Sequence, residues 1–265
     1  MSQTPILTRD DHDGVATLTL SAPGNRNALS LLMIDSLIVA LTEIDKDPTI
    51  RVAVIDGQGP ALSAGHDLKE VQAHRNDEDR GAAYFEKLMG RCTDLMRGIT
   101  EMAKPVIAAV EGVATAAGCQ LVAACDLAIA GEAARFALPG VNIGLFCSTP
   151  LVAVGRAVSR KAAMELALTG DMIDARRAEA IGLVNRVVAE GRALAEAQAL
   201  AAKIAARSGV VVALGKRTFQ RQIETTLADA YAVASQAMIE NLALPDSAEG
   251  ITAFVEKRAP VWSDR

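Results

Sequence analysis

The order of apolar and polar positions divides the chain into short strands and longer helices. Residues 14–20 (GVATLTL) alternate apolar and polar side chains, as a strand with one buried face does. The acidic turn before them (DDHDG) predicts a hairpin with residues 5–8. Ser30 is placed to cap a helix that runs to about Lys46 and stops at Asp47-Pro48. Residues 52–55, 106–110 and 127–130 are short unbroken apolar runs, expected for strands covered on both faces. Between them the pattern predicts a loop over 57–65 and a helix from about His66. A second helix covers 82–102, a turn 111–115, and a third helix about 117–124. A strand, loop and helix thus repeat through the first 190 residues, which predicts an α/β fold with right-handed crossovers. Past Val188 the strands stop. Residues 192–207, 216–242 and 247–257 read as three helices, the last with a D-x-x-E capping pattern at Asp246 and Glu249. The expected organisation is an α/β core over 1–190 and a helical region over 191–265.

Composition narrows the function classes. The 265 residues are 51% hydrophobic and 22% charged, so the chain has enough apolar surface to fold. The net charge is −5, opposite to that of a general nucleic-acid binder. Any site for an anionic ligand must therefore be a local basic cluster. The four cysteines form no C-x-x-C pair, and the three histidines show no metal-ligand spacing. Reduced thiols, a cytoplasmic location and no bound metal are expected. The N-terminus has neither a basic nor an apolar leader segment, so no targeting peptide is expected. The most apolar stretch, 106–130, is interrupted by Glu111, Gln120 and Asp126 and reads as core, with no membrane partner.

Two loops carry candidate chemistry. In residues 61–70 (ALSAGHDLKE), small residues precede a helix start, with Asp67 in its first turn. Residues 111–121 (EGVATAAGCQL) repeat the design. Backbone N–H groups at such starts lack internal acceptors, and small residues let a ligand oxygen approach them. Two converging N–H groups would stabilise a developing oxyanion. The G-Q-G at 57–59 lacks the third glycine of a dinucleotide site.

With these segments in view, the sequence resembles the crotonase (enoyl-CoA hydratase/isomerase) superfamily. The resemblance rests on residues 27–30 (NALS), 61–70, 104–112 (KPVIAAVEG), 168–175 (LTGDMIDA) and 249–258 (EGITAFVEKR), in the family's order over nearly the whole chain. Residues 140–150 and the tail look closest to one branch. The resemblance implies a spiral of ββα units with a C-terminal helical oligomerisation region that forms homotrimers, often paired as hexamers. It implies an acyl-CoA thioester ligand, with coenzyme A entering as part of the substrate and no permanent cofactor. Carried onto this chain, the oxyanion donors are the backbone N–H groups of His66 and Ala117; the family usually has glycine at the latter. CoA contacts carry over to Arg26, Ala28, Ala64, Asp67, Leu68 and Lys69. Phe254 and Lys257 match a tail position that reaches CoA, often from a neighbouring subunit.

The chain departs from that pattern where hydration needs its acid and base. The two family glutamates are replaced by Gln120 and Gly140. Each such group typically contributes about 10²–10⁴-fold. Candidate substitutes are Cys147, as a nucleophile that would need an activating base, Ser148, where other branches place an aspartate, and His66. Three functions stay open: a hydratase/isomerase-type enzyme with non-standard acid–base groups, a non-catalytic acyl-CoA binder, and a thioesterase.

Overall fold

The computed structural model describes residues 5–264. The hairpin pairs β1 (Leu7–His12) with β2 (Val15–Leu20), in register from Leu7 against Leu20 to His12 against Val15. Asp10 and Asp11 therefore lie in the first strand, and only Asp13-Gly14 makes the turn. The helix α1 (Leu31–Lys46) begins at the Ser30 cap, whose side chain accepts from the Met33 N–H. Then come β3 (Val52–Gly57), β4 (Ala61–Ser63), α2 (Leu68–His74), α3 (Ala82–Glu101), β5 (Val106–Val110), β6 (Val113–Thr115) and α4 (Ala117–Ala124). The core continues through β7 (Leu127–Gly131), β8 (Arg135–Ala137), α5 (Pro150–Ala157), α6 (Arg160–Thr169), β9 (Ile173–Asp174), α7 (Ala175–Ala180) and β10 (Arg186–Val188). Four helices end the chain: α8 (Ala193–Ala205), α9 (Gly209–Gln222), α10 (Leu227–Leu242) and α11 (Pro245–Glu256).

The strands form two sheets, one in the order β1-β2-β3-β5-β7-β10 and one in the order β4-β6-β8-β9. Each long strand of the first sheet is followed, after β2, by a three-residue strand of the second, and helices carry the chain back. This is the expected spiral of ββα turns. One apolar core lies between the sheets and helices α1, α3 and α4. A smaller one lies on the outer face of the large sheet, where Val52, Val54, Ile107 and Ile129 meet Ala193, Ala197 and Ala201 of α8. By packing, α8 belongs with the core, although the expected boundary lies before it.

Three local expectations are corrected. The loop 57–65 and the turn 111–115 contain β4 and β6, which pair with each other. The helix expected over 216–242 is two helices, broken at residues 223–226, where Thr226 caps α10. Asp246 does not cap α11. It is buried, and its carboxylate accepts from the Ser263 N–H and hydroxyl (both 2.7 Å) and the Asp264 N–H (3.1 Å) of the chain's tail. Among the described residues no single helix is long and apolar enough to cross a membrane.

Candidate functional site

Side by side, β4 and β6 deliver their two loops to one place. Gly65, with φ +90°, sits against the start of α4. A Cβ on it would stand 2.9 Å from the Ala116 Cβ, 3.0 Å from the Thr115 carbonyl oxygen and 3.2 Å from the Ala117 amide nitrogen. Only glycine fits both that backbone and that approach. On the other loop, a Cβ on Gly118 would run into the Ser63 carbonyl. The Thr115 hydroxyl donates to the Ala64 carbonyl at 3.2 Å and ties the loops together. The Ser63 hydroxyl accepts from the Gly65 N–H at 3.2 Å. Ala116 holds φ +50° and ψ −118°, a sparsely populated conformation costing on the order of 1–3 kcal/mol. It turns the chain into α4, so Ala117 is the first helical residue and its N–H has no helical acceptor. Among the described residues, neither the Ala117 nor the His66 N–H donates to a protein acceptor. The two are near neighbours, because the His66 nitrogen is bonded to the Gly65 carbonyl carbon.

A third segment completes the wall. Leu29 N–H donates to the Gly65 carbonyl at 2.8 Å, and Ala64 N–H donates to the Arg26 carbonyl at 3.0 Å. Arg26 and Asn27 are both left-handed, with φ of 56° and 52°. Asn27 holds them there. Its side chain is fully buried, accepts from the Ala22 N–H, and donates to the Gln58 (2.9 Å) and Ala61 (2.8 Å) carbonyls. Asn27, the first residue of the NALS segment, is a positioning residue whose role is not visible in the sequence alone. A lone amide beside a charged, turn-forming stretch carries no signal of burial by itself.

These contacts gather Arg26, Ala28, Ala64, Asp67, Leu68 and Lys69. Ala28 is buried, while Arg26, Leu68 and Lys69 are exposed. Among the described residues, neither Arg26 nor Lys69 has an acidic partner within ion-pair distance. The helix expected from His66 starts at Leu68, because His66 bridges to Leu29. Asp67 caps it, accepting from the Lys69 N–H at 2.9 Å. Phe254 and Lys257 are exposed at the end of α11, and no hydrogen bond or ion pair joins them to Arg26 or Lys69 among the described residues.

The acid–base positions are neutral. Gln120 is buried on α4, and its Oε1 lies 3.9 Å from the Cys92 Sγ of α3. Gly140 is the second residue of a short 3₁₀ turn, Pro139–Ile143. Cys147 is buried beside it; burial pushes its thiol up, against a weaker opposing bond from the Gly140 N–H. A thiol held protonated, with no histidine or carboxylate bonded to it, argues against the expected nucleophilic role. Ser148 is exposed, with its hydroxyl 3.5 Å from the Phe146 carbonyl. Burial pulls the His66 imidazole down to about 4, and its Nε2 has no hydrogen-bond partner. His66 is thus uncharged at neutral pH. Among the described residues no three His, Cys, Asp or Glu side chains cluster as a metal site.

The family model described as enoyl-CoA hydratase/isomerase matches residues 10–265. The chain is 46% identical over 262 residues to the mouse protein named enoyl-CoA hydratase domain-containing protein 3, mitochondrial, covering 99% of this chain and 86% of that one. The crystal structure of the human protein of that name superposes with a TM-score of 0.92 at 46% identity, covering 97% of this chain and 100% of that one. A crystal structure described as enoyl-CoA hydratase from Mycobacterium smegmatis gives 0.92 at 48%, covering 98% and 99%. The branch that residues 140–150 and the tail resembled is that of domain-containing protein 3. The expectation of a cytoplasmic location is overturned, because the vertebrate relatives that match over nearly the whole chain are named mitochondrial proteins. By sequence and by fold, the chain belongs to the enoyl-CoA hydratase/isomerase family.

Proposed function

We propose that the protein binds an acyl-CoA thioester and polarises its carbonyl between the N–H groups of His66 and Ala117. The observation that carries this reading is the seat of Gly65 on Ala116 and Ala117, which brings two unengaged N–H groups together. One such donor contributes about 3–4 kcal/mol, or 10²–10³ in rate, in other enzymes. Arg26 and Lys69 supply the local positive charge for the CoA phosphates on an acidic protein, and the CoA is carried in by the substrate. With Gln120 and Gly140 at the acid–base positions, ordinary water addition is slow. The chemistry suited to this site needs enolate-like charge stabilisation without a carboxylate base.

A non-catalytic binder is the second reading, favoured by Gln120, Cys147 and His66 all being uncharged at neutral pH. A thioesterase is disfavoured by the protonated Cys147. Turnover of a panel of enoyl-CoA and saturated acyl-CoA thioesters separates them. Conversion of any member supports the enzyme, binding without conversion supports the second reading, and release of free thiol revives the third. We also propose that the C-terminal layer assembles copies of the chain as a trimer or dimer of trimers. Leu227, Tyr231, Ile239 and Phe254 are 76%, 69%, 62% and 85% exposed on α10 and α11, more than an isolated surface tolerates well. Light scattering at three or six chain masses supports this; a monomer refutes it.

A further inference from the structure

The glycine at 140 is not an open position. Its φ is not in the left-handed region, so the backbone there admits any residue. What excludes a side chain is its surroundings. A Cβ on Gly140 would stand 2.9 Å from the Cys147 Sγ, 3.0 Å from the Leu145 carbonyl oxygen and 3.3 Å from its carbon. The loop is closed over this point by its own bonds: Leu145 N–H donates to the Gly140 carbonyl at 2.9 Å, and Leu151 N–H to the Cys147 carbonyl at 3.0 Å. Cys147 is itself buried just ahead of α5, so its thiol has little open space to withdraw into.

We infer that Cys147 is a specificity-determining residue: its thiol fills the space that a side chain at 140 would need, and so shuts the site to water addition. The inference rests on the acyl-CoA reading of the site. It means that the chain has not simply lost a glutamate. Residues 140 and 147 are a matched pair: the thiol makes the shortest contact with a side chain at 140, and once it is removed the Leu145 carbonyl, at 3.0 Å, has only to give by a few tenths of an ångström. Cys147 then acts by exclusion and takes no proton.

The test uses three full-length variants: Gln120→Glu/Gly140→Glu, the same pair with Cys147→Ala, and Cys147→Ala alone. Crotonyl-CoA hydration is measured for each, with butyryl-CoA binding measured by calorimetry. The expected result is little hydration in the first and third, and a rise of at least about tenfold in the second over the first. Equal hydration with and without Cys147, in variants that bind butyryl-CoA, overturns the inference. If neither the variants nor the parent bind butyryl-CoA, the acyl-CoA reading has failed instead. Stability gives an independent readout. Gly140→Ala should lower the melting temperature in the parent and by much less in the Cys147→Ala background. Equal losses in both backgrounds would mean that thiol and glycine are not coupled, and would also overturn the inference.

Discussion

Replacing His66 with leucine should change how stability depends on pH more than it changes stability at neutral pH. The buried imidazole is pulled from its ordinary 6.5 to about 4 in the folded chain. Above pH 6.5 both folded and unfolded states hold it neutral, so its contribution is level there. As pH falls from 6.5 to 4, the unfolded chain takes up a proton that the folded chain refuses. Stability is lost across that window, by about 3 kcal/mol when complete. Asp56 complicates the raw curve. Burial, helped by the nearby Glu111 charge, raises its carboxyl to about 6. The folded chain then binds the extra proton between about pH 6 and 4, which adds stability as pH falls. The two effects oppose each other, so the difference between parent and variant is the informative quantity. Urea titrations of parent and His66→Leu at several pH values should run together above pH 6.5 and separate as pH falls toward 4, where the variant is the more stable by up to about 3 kcal/mol. The direct check is NMR titration of the imidazoles. Only His12, His66 and His74 contribute signals, and His74 is identified by its 2.7 Å bond to Asp77. A His66 titration at or above pH 6 would refute the desolvation argument. It would also restore that side chain as a proton donor.

Other perturbations test other parts of the account. Lys216 is buried, with its Nζ donating to the Ile99 (2.9 Å) and Lys104 (3.0 Å) carbonyls and to Asp126 (2.7 Å). Lys216→Met leaves the half-buried Asp126 without its counter-ion, held only by the Val106 N–H at 2.8 Å, and should cost about 3 kcal/mol by urea unfolding; adding Asp126→Leu should recover part of it. Gly118→Ala forces α4 away from Ser63, and should weaken both stability and acyl-CoA binding, checked by thermal melting and calorimetry. Arg26→Ala and Lys69→Ala should each weaken butyryl-CoA binding by about tenfold at low salt, and by less as ionic strength rises. Hydrogen bonds from Ser208, Ser263 and Asp264 outweigh burial and hold the Asp246 carboxyl down at about 2. Its support of the tail is present above the ordinary aspartate range and fades as pH falls toward 2. Protection of α11 from hydrogen exchange should fade with it, and less so in Asp246→Asn.

The parts of the fold that the sequence announces are those with a clear period or a cap. Residues 14–20 alternate, Ser30 has an apolar face after it, and 106–110 is an unbroken apolar run; all three became elements of the expected type, although β2 is covered on both faces, not one, because α8 packs on the side of Val15 and Thr17. The second sheet was hidden because β4, β6 and β8 have three residues each, too few to show a period, and glycines flank them. The break between α9 and α10 was hidden because Thr225-Thr226 sits inside an otherwise continuous helical pattern. Asp246 looked like a cap because its true partners, Ser263 and Asp264, lie in the chain's tail. At the site, the loops around His66 and Ala117 could be found from their small residues. Their meeting could not, because it depends on β4 lying beside β6. The vacancy at 140 looked like a simple loss in the sequence, and only the packing of Cys147 against Gly140 shows it filled.

The central claim is that two backbone N–H groups pull on one thioester carbonyl. Isotope-edited infrared spectroscopy of butyryl-CoA, labelled at the thioester carbonyl and bound to the protein, reads that pull directly. The account requires the carbonyl stretch to move to lower frequency on binding, and to move less in the Gly118→Ala variant, which displaces the Ala117 N–H. A bound thioester whose carbonyl frequency equals that in water would contradict it.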